Sequence, residues 1–568
     1  MNKTIRMKQA AERISILFGF MMIVLFPGIM MGQDIQNIKN QKPVTFHGSI
    51  ANTFLFLNSG KPGENPQLIW AVSANATLSV YGIDLPFSFT FSDKKANYSQ
   101  PFNQFGLSPR YKWITVHLGY RNVNFSNFVM AGYTFLGAGV ELNPGIFRFG
   151  FIWGRFVKSS TSNTDQSLFA LPELSRKGFA VKIGLGNQKN FVDLVFLRAK
   201  DDSSSLKKTT NDSLVTPAAN IALGTKMHFT IIKPLTLDVE GAVSLYTNDI
   251  GSPGFADSNS SAWIKRFNNF MPINLSTEYF TAFKASLVFT KPSYSLGLVY
   301  TRIDPSYRTM GIYYINSDLE NITFNPSFYL FKRKLRFSGS AGYQHDNLRH
   351  VKRATSVRTI WNLNIGYDPV QWFGIDASYA NFSTNQKPGN IPLVDSLKTY
   401  NVNRNLSINP RLLFVNPKLI HSVILSFNQS DYIDRNAYTD AATTRATTVF
   451  LNYSATFIKS QLGLNAGLSY ISCVNAYAET RMTGGSVGVS KPFCKNKLFC
   501  SLGESVQNSY IASQSGWVFN TNASVRYLPH PKHSLVLQVY LVNNTISDQT
   551  AANVYNQSKG DLSYVFTF

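Results

Sequence analysis

Residues 561–568 read DLSYVFTF, and a period of two sorts them cleanly. Leu562, Tyr564, Phe566 and Phe568 share one parity, and Asp561, Ser563, Val565 and Thr567 the other. In an extended strand successive side chains point to opposite faces, so this octet carries one bulky apolar stripe and one smaller face. The stripe runs out to a residue bearing a free carboxylate, a poor ending for a strand in a soluble core. A strand whose apolar face meets lipid, and whose edge pairs with another strand, has no such conflict.

The same alternation recurs along the chain. In LIWAVSANATLSVYG (68–82), Leu68, Trp70, Val72, Ala74, Ala76, Leu78 and Val80 face one way and Ser73, Asn75, Thr77 and Ser79 the other. LPFSFTFS (85–92), GFAVKIGLG (178–186), LRFSGSAGYQ (335–344) and QLGLNAGLSY (461–470) repeat it. Helical periodicity is almost absent beyond residue 32. The connections also fall into two classes. Short ones are rich in Pro, Lys and Asn: 143–145, 187–190, 233–234, 291–293, 332–334, 416–418, 459–460, 495–497 and 529–532. Long polar ones are 158–177, 201–218, 248–275, 304–320, 384–402 and 543–560. Segments of about ten alternating residues, with short turns at one end and long loops at the other, describe a transmembrane β-barrel.

A soluble sandwich or propeller buries one face and wets the other. Here the second face is mostly Ser, Thr, Asn, Gly and Ala with few charges, which suits a lumen. Trp361, Tyr367, Trp372, Phe373, Trp517 and Tyr527, with Tyr111 and Trp113, lie near segment ends as interfacial girdles do. The expected fold is all-β: a single large antiparallel barrel over residues 33–568, of about 26 strands with 24 as the alternative count. Two of those strands are expected in 121–142. The first strand starts near Val44, which leaves no room for a plug domain inside the barrel. The last strand pairs with the first to close it.

DLSYVFTF resembles the C-terminal strand of Gram-negative outer-membrane barrels. The resemblance implies that Tyr564, Phe566 and Phe568 form the signal read by the barrel-assembly machinery. Residues 101–156, from QPFNQFGLSPRYKW to FIWGRF, are similar to a block found in an uncharacterised family of such barrels. That family has no assigned reaction, so it implies fold and an integral outer-membrane location only.

The ends and the composition agree. Lys3, Arg6, Lys8 and Arg13 precede the apolar run Ile14–Phe26, then Pro27, Gly28 and Gly32, the layout of a signal peptide over residues 1–32. Charged residues make up 15% and aromatics 14% of the 568 residues, with a net charge of +23. Removing residues 1–32 takes away four bases and one acid and leaves +20. Mean hydropathy is −0.08, too low for a helical membrane protein. Lys and Arg in turns and loops suit lipid and lipopolysaccharide phosphates, and nothing points to nucleic acid.

Parity assigns the charges opposite the apolar face to the lumen: Arg148, Lys182, Lys226, Lys284, Arg336, Arg358 and Arg526, with Asp193, Asp238, Glu240 and Asp376. Seven bases against four acids favour anionic solutes, unless the charges brace the wall as salt bridges. Asp238 and Glu240 are the expected acidic partners for such bridges. A wide lumen needs a constriction, and loop 248–275, with Trp263, Lys265, Arg266, Phe267 and Phe270, is the expected infolded segment, with an exposed cap as the alternative. His345, Asp346 and His350 lie among Arg349, Lys352 and Arg353, which oppose cation binding, so no metal site is expected. Cys473, Cys494 and Cys500 read as free thiols, although the last two flank one turn. No phosphate loop, zinc motif or catalytic constellation stands out, and no cofactor is implied. The leading reading is therefore a non-enzymatic channel or transport pore. The other class is a structural subunit of a secretion or surface-assembly complex, with further outer-membrane or periplasmic partners. An outer-membrane hydrolase is a distant third.

Overall fold

The structure, a computed structural model, describes residues 44–60, 65–80, 83–92, 106–108, 110–160, 172–206, 215–254, 270–388, 394, 398–436, 438, 443–511, 514–545 and 556–568. Residues 1–32, expected as a signal peptide, and Trp263, Lys265, Arg266 and Phe267 lie outside the described residues. Two units divide the chain. The smaller comprises residues 1–45 and 79–83, of which only a few belong to described strands; the larger comprises 46–78 and 84–568.

The described residues form antiparallel strands without a helix. Twenty-five strands have nine residues or more, from Val44–Asn58 to Gln557–Thr567, and two two-residue pieces, Gly106–Leu107 and Arg110–Tyr111, accompany them. Both pieces pair with Ile114–Asn122 in one continuous register, Gly106 opposite Gly119 and Tyr111 opposite Ile114. Sharing one register against the same partner, they count together as one strand. Counted so, the described residues form 26 strands. The nine short connections read from the sequence each join two consecutive strands.

The sheet closes on itself. The last strand pairs with the one before it and with the first strand, Tyr564 opposite Leu535 on one side and Asn52 on the other. Phe568 exchanges two backbone hydrogen bonds with Gly48, at 3.0 and 3.2 Å. Its ring stacks on Phe46 with centroids 4.5 Å apart. Nδ1 of His533 and the Tyr564 hydroxyl share a hydrogen bond of 2.8 Å. Pairing of the first and last strands removes the two edges that the chain ends would leave, a condition for a sheet to survive in hydrocarbon. One face of the sheet carries exposed apolar residues all along it, among them Trp153, Ile183, Leu194, Leu223, Leu298, Leu468, Val487 and Leu562. An exposed belt of this kind is what lipid covers.

Two expectations change here. Residues 121–142 hold one new strand, Thr134–Leu142, not two. The preceding stretch, Val123 to Tyr133, leaves the sheet and packs on the face opposite the apolar belt, called the inner face below. Loop 248–275 does not supply the infolded segment where it is described. Met271 and Ile273 pack with Ile221, Phe196 and Leu245, and Thr247 Oγ1 donates to the Pro272 carbonyl at 2.8 Å. Those strand residues share the parity of exposed Leu194, Leu223 and Val243, so this part of the loop lies on the outer face.

The contact between Phe46 and Phe568 joins the first strand to the last residue. A double-mutant cycle with Phe46→Ala and Phe568→Ala, read by urea unfolding of the refolded chain in detergent, should give a coupling of about 0.5–1.5 kcal/mol. Additive effects would mean that the ring stack contributes nothing to closure.

Candidate functional site: an inner wall with two inserted segments

The wall begins with charges placed by register. Arg148 lies opposite Gly184, Gly184 opposite Asp193, Asp193 opposite Lys226, Lys226 opposite Glu240 and Glu240 opposite Lys284. The row continues through Thr301, Asn321 and Gln344 to Arg358. Six of the eleven charged residues singled out by parity therefore stand in one line across ten strands, with sign alternating from Arg148 to Lys284. Opposite signs on facing positions attract, by about 0.2–1 kcal/mol per pair.

A glycine between two charges lets them meet across an intervening strand. Arg148 forks onto Asp193 over Gly184, Nε to Oδ1 at 2.7 Å and Nη2 to Oδ2 at 2.9 Å. A Cβ at Gly184 would sit 2.0 Å from Asp193 Oδ1. Lys182 Nζ reaches Glu141 Oε2 at 2.9 Å over Gly150. Arg336 reaches Asp376 at 3.2 Å over Gly366 and Asp368 at 3.0 Å, and Arg411 completes that network by pairing with both acids. Arg526 lies over the Phe499 ring, 4.6 Å from its centroid. Among the described residues Asp238 meets no lysine or arginine; it lies 2.6 Å from His228. Nor does Glu240 brace the wall as an ion pair, for its carboxylate is committed elsewhere.

That commitment is to the first inserted segment, Val123–Tyr133. Its tip is a tight turn with Ser126 and Met130 bridged backbone to backbone. Glu240 Oε1 accepts from Ser126 Oγ at 2.7 Å and from the Asn127 N–H at 2.5 Å, and Oε2 accepts from Asn127 Nδ2 at 2.8 Å. Ser126 is fully buried and Glu240 nearly so. Each hydrogen bond to a charged group is worth about 1.5–3 kcal/mol, and a buried carboxylate without such donors would be costly. Phe125, Val129 and Met130 are buried beside it. The wall makes room with absent side chains: a Cβ at Gly150 would come within 2.7 Å of the Phe125 ring, and one at Gly224 within 2.5 Å of Val129 Cγ2. The Lys182 ammonium sits 4.8 Å from the centroid of the same Phe125 ring.

The second inserted segment, Asp304–Asp318, locks onto the first. Tyr307 donates its hydroxyl to the Phe128 carbonyl at 2.7 Å, and the Ala131 N–H donates to the Gly311 carbonyl at 3.1 Å. Burial, and then the Glu240 carboxylate, push the Tyr307 phenol well above its ordinary range, so it keeps the proton it donates. Asn220, fully buried on the wall, accepts from the Met310 N–H at 2.9 Å and donates to Ser244 Oγ at 2.8 Å; Ser244 Oγ in turn donates to the Arg308 carbonyl at 2.7 Å. Arg308 stacks over Tyr246, 4.3 Å from its centroid, and Tyr313 stacks on Tyr133 at 4.1 Å. Phe125, Phe128, Met130, Tyr307 and Met310 join Ile152, Ala180, Leu197, Ala222, Ala242 and Phe280 of the wall in one buried cluster. Part of the remaining inner wall is polar and uncharged: Asn362, Asn364, Ser378, Asn405, Ser407, Asn428 and Thr448 line a shallow hollow of about 260 Å³.

Sequence parity singled out wall charges such as Arg148 and Asp193 but not Asn220, Ser126, Asn127, Tyr307 or Glu141. The available signal was in the inserts themselves. VNFSNFVMAGY breaks the alternation with Phe128, Val129 and Met130 in succession, and RTMGIYYI is too apolar for a solvated loop. The three cysteines are free. His345 Nε2 lies 3.4 Å from Glu320 Oε2, and Asp346 pairs with Lys352 at 3.4 Å.

No protein-family model and no curated protein matches the chain. Solved structures do resemble it at low identity. The P pilus usher (PapC) translocation pore shares 11% identity over 92% of this chain and 99% of that one, with a TM-score of 0.39. OccAB2 of Acinetobacter baumannii shares 7% over 92% and 98%, with a TM-score of 0.34. OccK9 (OpdG) of Pseudomonas aeruginosa shares 10% over 92% and 98%, with a TM-score of 0.28.

Two outcomes are expected at the inserts. Glu240→Ala leaves the Ser126 and Asn127 donors without their acceptor, at about 1–3 kcal/mol for each buried group. Limited proteolysis should then cut within 123–133 while the barrel stays folded; an uncut segment would mean that packing alone holds it. The second outcome concerns pH. Burial pushes the Asp318 carboxyl up, but hydrogen bonds from Lys352 and from the N–H groups of Leu348 and Asn347 outweigh it and leave it below the ordinary 3.8. Burial draws Lys352 down, and Asp318 and Asp346 outweigh that, leaving it above 10.5. A depressed carboxyl contributes stability above its unfolded value that is lost as pH falls through the folded one. A raised ammonium contributes below its unfolded value and loses it as pH rises through the folded one. Amide exchange in 304–318 should therefore speed up below about pH 3.8, and again above about pH 10.5, and Asp318→Asn should abolish the acid limb.

Proposed function

We propose that the chain is an integral outer-membrane channel for small, anionic solutes, restricted by the two inserted segments. The observation that carries this reading is a closed sheet with an apolar outer face and a polar inner wall, part of which Val123–Tyr133 and Asp304–Asp318 fill. A wide closed sheet encloses a lumen, and an enclosed lumen lined by Asn, Ser and Thr is wettable. The charges support an anionic preference. Arg148, Lys182 and Arg336 are committed to Asp193, Glu141 and the Asp368–Asp376 pair. Among the described residues, no carboxylate lies within ion-pair distance of Lys226, Lys284, Arg358 or Arg526. Glu240 and Asp238 stand against these four, so with Arg411 these wall charges are eight bases and six acids, and the net excess of two bases raises the local concentration of anions. In the same reading, residues 1–32 direct export, and Tyr564, Phe566 and Phe568 present the aromatic stripe that barrel-assembly machinery would engage. Neither catalysis nor a cofactor is part of it.

The test is single-channel conductance of the refolded chain in a planar bilayer under a salt gradient. The expected result is a small, stepwise conductance that prefers anions. Replacing residues 126–130 with a Gly-Ser linker should raise it several-fold, and Lys226→Glu with Lys284→Glu should reverse or abolish the preference. Silence from both the native chain and the linker variant would rule out conduction and leave the barrel as a structural subunit.

A further inference from the structure

The outer face carries a basic cluster that neither folding nor conduction explains. Arg155, Lys177 and Lys200 lie on three adjacent strands, Phe147–Val157, Ser175–Gly186 and Asn190–Asp202, and the register sets them directly opposite one another. Arg198 lies one step below, opposite Phe179, which is itself opposite Trp153. All share the parity of exposed Trp153, Ile183 and Leu194, so they point away from the inserted segments. Like charges on facing positions of a sheet repel and destabilise it.

Among the described residues, little offsets this row. Lys177 has a single distant partner, Asp202 at 3.7 Å, and its side chain is 64% exposed. Arg198 spends its Nε on the Phe270 carbonyl at 2.6 Å. Among the described residues, no carboxylate is within ion-pair distance of Arg155, Arg198 or Lys200. Asp201, next in sequence, is buried on the inner side and forked onto Arg176 at 2.7 Å. Trp153, Lys177, Phe179, Arg198, Lys200 and Asp202 line a cleft of about 420 Å³.

The position says what would fill it. All three strands reach the long-loop end here, at the connections 158–174 and 203–218, and in membrane barrels that end is extracellular. Below the basic row come Trp153 and Phe179, at the level where aromatic side chains meet head groups, and below them the apolar belt of Phe151, Ile183, Leu185 and Leu194. A ligand with phosphates above and acyl chains below matches both layers. A phosphate monoester carries about −1.5 to −2 charges and three strong acceptors, and arginine and lysine are its usual partners.

We infer that Arg155, Lys177, Arg198 and Lys200 form a binding site for the phosphorylated head group of an outer-leaflet glycolipid, with its acyl chains lying over Trp153 and Phe179. The inference rests on the membrane placement proposed above but not on conduction. It is tested by native mass spectrometry of the refolded chain in neutral detergent with bisphosphorylated lipid A, in EDTA so that divalent cations cannot bridge. Wild type should retain one lipid. Arg155→Glu with Lys200→Glu should weaken retention at least tenfold, whereas Lys332→Glu with Lys334→Glu at the opposite end should not. Dephosphorylated lipid A should bind at least tenfold more weakly, and a large excess of inorganic phosphate should not displace the native lipid. Heat-modified gel migration reports folding, and Arg155→Gln with Lys200→Gln serves if the charge reversals fail to fold. Equal retention by the variants, or indifference to the lipid phosphates, would overturn the site. Displacement by inorganic phosphate would overturn the lipid and reassign the cluster to free phosphate. A barrel silent in conductance that still binds lipid A would sink the channel reading alone.

Discussion

The pairing of the last strand with the first is the constraint on which the rest depends. A sheet with an apolar outer face can lie in hydrocarbon only if no backbone group is left open at an edge. The two backbone hydrogen bonds between Phe568 and Gly48, and the ring of Phe568 on Phe46, are where that demand is met. Once the ring of strands is closed, every side chain has one of two fates. It faces the apolar belt or it faces an enclosed interior, and all further chemistry is sorted by that choice.

Inside, the difficulty is to hold material in a space that water would otherwise occupy. The chain solves it with two buried polar anchors set within the apolar cluster that the inserts form with the wall. Glu240 gathers three donors from the tip of the first insert, and Asn220 joins the second insert to Ser244. Burial of either group without those partners would be unfavourable, so each anchor specifies where its insert sits as well as holding it there. Glycines supply the clearance. At 150 and 224 they admit Phe125 and Val129, and at 184 and 366 they let an arginine reach an acid two strands away. The same residue type thus serves the inserts and the ion pairs, in both cases by leaving the inner face bare between large side chains.

The outer and inner faces treat their charges in opposite ways. The inner row from Arg148 to Lys284 alternates in sign and is largely self-compensating. The outer row of Arg155, Lys177 and Lys200 does not alternate and has one weak acidic neighbour. A charge pattern that is balanced in one place and unbalanced in another on the same strands is a property of position: the interior must satisfy itself, while the rim can be satisfied by what surrounds it.

Much of this was legible from the amino acids alone. Period-two alternation, with two classes of connection, is enough to specify strands, their faces, the short turns and closure through the C-terminal octet, because side-chain direction in a strand depends only on parity. The same rule placed Arg148, Lys182, Asp193, Lys226, Glu240 and Lys284 on one face. Parity carries no information about partners, however. That Asp238 meets His228, that Glu240 serves an insert and not a lysine, and that 248–275 turns to the outer face where it is described follow from register and from the reach of loops. Those depend on which strands lie side by side and on how much room a glycine leaves, and only the tertiary structure decides them.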